Sequence, residues 1–312
     1  SVTNCANALV TGNLVATADT APEIRTAGTA TISITGKVDG GAATNDLLLT
    51  SLNGAIIIGG AVGGTAATPT LDTLTINGNT SLLASSTVNV GTLSVGQTAS
   101  TFATSVTFAE AVTVGTSLLL DTSANGTVSF AKTITATGAA ATIDIGSVNG
   151  LITVTGNITG KDNVSITTSG SGAITLSGAI STDAADGDIL IESTSGNVIT
   201  SGAISTSGTA SGVNSADINI DTATSGNITI GGNVSTSGGG DIILGADSAT
   251  GSSGTGNLTI NGTVTTTGTA AGDIAFGIAG GTGAINKAVT AGATGDVIFI
   301  NNLATDVYTI VS

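Results

Sequence analysis

Histidine, methionine and tryptophan are absent from the sequence, and cysteine and tyrosine each occur once. Without histidine the chain lacks the commonest general base and transition-metal ligand, so histidine-dependent triads and zinc sites are excluded. A lone Cys5 excludes an internal disulfide; it reads as a buried or idle thiol, with a crosslink to another molecule or a lipid attachment as the alternative. Arg25, Lys37, Lys132, Lys161 and Lys287 are the only basic side chains, against 20 acids, for a formal net charge of −15. That balance gives no footprint for a phosphate backbone, so nucleic-acid binding is excluded. Glu23, Glu110 and Glu192 are the only glutamates. Neither the clustered carboxylates beside a base nor the aromatic sugar platforms of a glycan-cleaving enzyme are visible, and no enzymatic activity is expected. No window approaches the roughly 18 uninterrupted apolar residues of a membrane span. The chain does not begin with Met and shows no basic, then apolar, leader at Ser1. It therefore reads as a processed product or fragment, as after removal of an export signal.

What remains is rich in glycine, Ser, Thr and aliphatics, with 47 glycines, 40% apolar residues, 8% charged residues and a mean hydropathy of +0.48. There is no three-residue glycine period, which excludes collagen, and the hydropathy is too high for disorder. Many short strands joined by tight turns are expected.

The stretch Ser225–Gly245, SGNITIGGNVSTSGGGDIILG, holds three short segments with apolar residues at alternate positions, separated by glycines. Alternation over so few residues marks half-buried strands, and the glycines mark bends. The unit recurs from Ala30, with equivalent starts at Gly54, Asp72, Thr104, Gly126, Gly150, Gly172, Gly196, Gly226 and Gly256. Two residues beyond these starts stand Ile32, Ile56, Leu74, Val106, Val128, Ile152, Ile174, Val198, Ile228 and Leu258. Four beyond stand Ile34, Ile58, Ile76, Phe108, Phe130, Val154, Leu176, Thr200, Ile230 and Ile260, with Thr200 the polar exception. Eight beyond, all are aliphatic except Thr80. Six beyond, a corner glycine recurs at Gly36, Gly60, Gly78, Gly156, Gly178, Gly202, Gly232 and Gly262, interrupted by Glu110 and Lys132, which a stack would superpose. A third strand closes each repeat, as in DINI at Asp217–Ile220 and DIIL at Asp241–Leu244.

One such unit cannot bury its apolar side alone, whereas stacked units can, with strands ~4.8 Å apart in parallel sheets. The expected fold is all-β: a right-handed parallel β-helix of about ten three-stranded rungs averaging roughly 25 residues. Residues 1–29 form an irregular N-terminal cap or first rung, residues 30–300 the solenoid, and residues 301–312 a strand-like C-terminal segment. Beyond Gly277 the register deteriorates, with Lys287 where an apolar residue is expected. The final segment ends uncapped at Val307, Tyr308, Ile310 and Val311, which are the candidate assembly residues; it either continues in a longer chain or pairs with a neighbour.

Asp188, Asp217, Asp241, Asp273 and Asp296 each open a third strand in successive rungs. Stacked, they form a column of carboxylates about one strand spacing apart, repulsive unless backbone N–H groups or cations satisfy it. Turn-capping Asp is the simpler expectation and calcium along the column the sharper one. Gly238–Gly240 reads as a turn, because no helix and no Lys follow as a phosphate-binding loop requires. No other cofactor is expected.

The repeats GAITLSGAIST, GNVITSGAISTSG, GNITIGGNVSTSG and GNLTINGTVTTTG resemble the passenger domains of large bacterial surface adhesins of the filamentous-haemagglutinin and autotransporter type. The resemblance covers roughly Ala30 to Ile300. It implies export, an extracellular or cell-surface location, and work by adhesion or as a fibre shaft. Three functions follow as expectations. The first is a non-enzymatic structural subunit or shaft of a surface fibre, sheath or layer, with copies of itself as partners. The second is an adhesin fragment binding surface glycans or proteins through its loops, and the third an ice- or polysaccharide-binding solenoid with flat Thr rows such as Thr265–Thr267.

Overall fold

A computed structural model describes residues 2–17, 22–64, 70–78, 81–96, 103–184, 186–208, 216–246, 256–268, 272–278, 280–301 and 307–311. The protein is all-β, with parallel strands stacked as a β-solenoid in turns of roughly 25 residues. It divides into two compact units, Ser1–Gly156 and Asn157–Ser312. Among the described residues no helix is long and apolar enough to cross a membrane.

In the first unit, one face stacks Ala8, Ile32, Ile56, Leu82, Val106, Val128 and Ile152 as successive parallel partners. A second face stacks Leu14, Val38, Val62, Val88, Val112 and Ile134. The third stacks Ile24, Leu49, Ile76, Val95, Leu120 and Ile145. Residues 2–26 already hold all three strands of a turn, Val2–Cys5, Ala8–Val10 and Leu14–Val15, each paired with the turn after it.

The second unit repeats the plan. Ile174, Val198, Ile228, Leu258, Gly283 and Tyr308 stack on its first face. Ile158, Ile180, Ile204, Val234, Val264 and Val289 stack on the second. Ile166, Ile191, Ile220, Leu244, Phe276 and Phe299 stack on the third.

These columns are the core. Ile32, Ile56, Phe108, Phe130, Ile152, Ile174, Ile228, Ile230, Leu258 and Ile260 are all buried, each exposing no more than 1%. Each such side chain contributes about 1.5–3 kcal/mol by leaving water. Phe108 and Phe130, in the same slot of adjacent turns, stack with ring centroids 4.8 Å apart and planes 11° apart. Glu110 and Lys132 lie between the registered pairs Phe108 with Phe130 and Val112 with Ile134, which fixes them at one corner of adjacent turns. The ion pair formed among the described residues is a different one, Lys161 with Asp183.

The corner glycines serve close approach. A Cβ on Gly232 would lie 2.1 Å from the carbonyl oxygen of Gly202, and one on Gly262 would lie 1.9 Å from that of Gly232. Gly36, Gly60, Gly156 and Gly202 likewise press on backbone of the preceding turn. Absence of a side chain lets successive corners stack at strand spacing; a positive φ is not involved at these positions.

Two parts of the sequence-based register are corrected. The repeat placed at Asp72 does not start a first-face strand: Thr73–Asn77 pairs with Leu47–Ser51 and Val88–Val95 on the third face. The first-face strand of that turn is Ser81–Ala84, with Leu82 between Ile56 and Val106. Val88 takes the second-face slot assigned to Thr80, which itself lies outside the described residues. Beyond Gly277 the register holds, because Thr282–Ile285 pairs with Leu258–Ile260 and Val289 with Val264. Lys287 occupies an exposed corner position between these strands, where no apolar residue is needed.

Candidate functional site

Two places combine unusual chemistry with accessibility: the aspartate column and the last turn. Each aspartate immediately precedes a third-face strand, which places it at the corner, and the carboxylates of Asp188, Asp217, Asp241 and Asp273 reach along the stack to the next turn. Asp188 Oδ1 accepts the Asp217 N–H at 2.9 Å, Asp217 Oδ1 the Asp241 N–H at 2.8 Å, Asp241 Oδ1 the Asp273 N–H at 2.8 Å, and Asp273 Oδ1 the Asp296 N–H at 2.8 Å. Below them Asn163 Oδ1 accepts the Asp188 N–H at 2.9 Å. The backbone carbonyls are engaged as well, the Asp241 oxygen accepting the Ile218 N–H at 2.9 Å. Gly238 and Gly239, just before Asp241, have left-handed φ values of 86° and 96°, as a tight turn requires.

Burial pushes the Asp188 and Asp241 carboxyls above the ordinary carboxylate value. The accepted N–H opposes this, while the neighbouring carboxylates reinforce it: Asp217, Asp186 and Asp162 around Asp188, and Asp217 and Asp273 around Asp241. One oxygen of each carboxylate from Asp188 to Asp273 is thus committed to the chain itself. Among the described residues no three acidic or thiol side chains converge as a ligand set for a metal ion.

Asparagines perform the same task at other corners. Asn197 Oδ1 accepts the Asn227 N–H and Asn227 Oδ1 the Asn257 N–H, both at 2.9 Å, and Asn257 Oδ1 accepts the Thr282 N–H at 2.8 Å. Asn233 Oδ1 accepts the Thr263 N–H at 3.0 Å. Every one of these bonds runs from the amide of one turn to the side chain of the turn before it.

A further set of polar groups, not recognised in the sequence, lies inside the coil. Thr122, Thr168 and Thr222 are buried at the ends of third-face strands and donate to the carbonyls of Gly126, Gly172 and Gly226 at 2.8–2.9 Å. Thr236 and Thr266 close the next corner through Gly240 and Gly272. Thr266 is therefore internal, and Thr265–Thr267 does not form an uninterrupted outward row. The recurring Thr-x-x-x-Gly spacing is the signal that marks the third-face group.

The last turn closes differently. Gly283 leaves the inward slot empty, and the Tyr308 ring fills it: a Cβ on Gly283 would lie 2.3 Å from that ring. The Tyr308 hydroxyl donates toward the carbonyls of Phe276 at 2.9 Å and Ile300 at 3.2 Å. Phe299 stacks on Phe276 at 5.4 Å and meets Tyr308 edge-on at 4.9 Å. Tyr308, half-buried, belongs to this lid, while Val307, Ile310 and Val311 expose 56%, 59% and 52% of their surface. Beside them an open groove of about 770 Å³ is lined by residues including Val289, Val297, Phe299, Ile310 and Lys287.

The class defined by fold and site is a parallel β-solenoid repeat protein with side-chain ladders at its corners. Comparison with family models, curated proteins and solved structures found no match in any of the three.

Proposed function

We propose that the chain is a non-enzymatic, extracellular structural protein: a subunit or shaft of a cell-surface fibre, sheath or layer that associates end to end by strand pairing. The observation that carries this reading is the repetition itself: inward columns run turn upon turn, and corner aspartates and asparagines bond to the amides of the following turn. A coil of parallel strands extends by pairing further turns edge to edge, and a contact between two different ends propagates into a filament. The ladders support the same role, since they direct corner polar groups to stacking rather than to a ligand. The likeness to surface adhesins supports an extracellular setting.

Electron microscopy and sedimentation of the purified chain over a range of concentrations test the reading. Rods that lengthen with concentration are expected. Particles that stay one chain long throughout would overturn it.

A further inference from the structure

Asn-Gly pairs occur at Asn53, Asn77, Asn125, Asn149 and Asn261. We propose that Asn261 is a site of spontaneous covalent modification, where the side chain closes on the Gly262 nitrogen to a succinimide and opens to aspartate or isoaspartate. This modification is independent of the proposed function, since it needs neither a partner nor assembly.

Position in the coil separates this pair from the other four. Asn53, Asn77, Asn125 and Asn149 lie at the corner between the third and first faces, whereas Asn261 follows the first-face strand Leu258–Ile260 at the corner leading to the second. Of the glycines at that corner, Gly36, Gly60, Gly156, Gly178, Gly202, Gly232 and Gly262, only Gly262 follows an asparagine. The two corners treat the glycine amide differently. Where the third face turns into the first, the Gly54 N–H donates to Ser51 Oγ at 3.1 Å and the Gly150 N–H to Ser147 Oγ at 3.0 Å, both serines being buried. Among the described residues no acceptor engages the Gly262 N–H.

The turn above supplies what the reaction needs. Asn261 is exposed, and its Oδ1 accepts a hydrogen bond from Asn286 Nδ2 at 2.8 Å. Lys287 stacks over Gly262, between the registered pairs Ile260 with Ile285 and Val264 with Val289. The Gly262 nitrogen gives up its proton to solvent and attacks the Asn261 side-chain carbonyl carbon, and negative charge gathers on Oδ1. Asn286 Nδ2 already donates to that oxygen, and the Lys287 charge at the same corner favours the anion, as oxyanion donors do elsewhere. The bond to Nδ2 then breaks and the nitrogen leaves, protonated by water, as ammonia. A second water opens the ring at either carbonyl. One product is aspartate beneath Asn286; the other is isoaspartate, which lengthens the backbone where Gly262 stacks on the Gly232 carbonyl.

Peptide mass spectrometry of the folded chain, incubated at mildly alkaline pH, reads each site through the exchange of side-chain NH2 for OH, and electron-transfer fragmentation separates aspartate from isoaspartate. The serine hydrogen bond should hold Asn53 and Asn149 back about fivefold relative to Asn261. In urea, where these differences vanish, the three rates should converge. Ser147→Ala should release Asn149 toward the Asn261 rate, and Asn286→Ala should slow Asn261 while leaving Asn53 and Asn149 unchanged. Melting curves of both variants show that the fold is retained. Asn261 converting no faster than Asn53 and Asn149 in the folded chain overturns the proposal, as does an Asn261 rate that is unchanged or raised in Asn286→Ala.

Discussion

Asp241 offers the most direct test of what the aspartate column does. Its Oδ1 accepts the Asp273 N–H at 2.8 Å, and its charge is disfavoured first by burial and then by Asp217 and Asp273 on either side. Asp241→Asn keeps an acceptor oxygen and removes the charge. Asp241→Ala removes both. A hydrogen bond of this kind is worth about 1 kcal/mol net, and partly exposed charge repulsion a few tenths of that. At pH 7 the alanine variant should therefore lose about 1 kcal/mol, while the asparagine variant should match the parent or gain up to about 0.5 kcal/mol. Asn197, Asn227 and Asn257 already hold the equivalent bond with neutral amides. Urea titration reads the difference, and amide exchange at Asp273 localises it: protection there should fall in the alanine variant and persist in the asparagine variant. If asparagine is as damaging as alanine, the negative charge itself is required. That result, joined to a calcium-dependent rise in melting temperature, would make the column a cation site and refute the ladder as its explanation.

Two other outcomes follow from the same structure. Thr200 is 2% exposed, sits between Leu176 and Ile230 in an inward column, and its hydroxyl has no hydrogen-bond partner; Thr200→Val should stabilise the second unit by about 1–2 kcal/mol in urea unfolding, and a loss of stability would contradict that environment. Burial is the first cause that raises the carboxyls of Asp121, Asp188 and Asp241 above 3.8, so the folded state binds their protons more tightly than the unfolded state does. Their contribution to stability is fully present below the ordinary carboxylate range and is lost as pH rises through the raised values. The carboxyl of Asp39, lowered chiefly by the Thr70 hydrogen bond, acts in the opposite direction, so the test is made by difference: the stability of the parent relative to Asp241→Asn should be greater at about pH 3.5 than at pH 7, and a difference that shrinks at the acidic pH would contradict it.

The solenoid is legible because its inward slots are aliphatic and its corners small, a pattern that aligns Ile174, Val198, Ile228 and Leu258 without reference to distant pairing. The strand at Thr73–Asn77 was misplaced for a physical reason. Alternation has a period of two on every face and carries no label for which face it is. Asn77-Gly78 also imitates the Thr35-Gly36 corner that follows a first-face strand. Gly283 broke the aliphatic pattern because the volume missing there arrives from Tyr308, one turn later in the chain. The aspartate column was visible as a spacing. Its bonds to the next turn's amides were not, since alternation specifies which side chains face inward but not where a corner carboxylate reaches.

The uniform direction of the corner bonds gives the turns a grammar of their own. Asn197 secures the amide of Asn227, and Asn227 that of Asn257, so each turn is fastened by its predecessor and fastens its successor with the same residue type. Excising the turn between two such asparagines leaves Asn197 facing the amide of Asn257, an equivalent partner, and duplicating it adds another identical link. Length is thus a quantity that this architecture can change in whole turns, and the cost of a faulty corner falls on the turn that follows it.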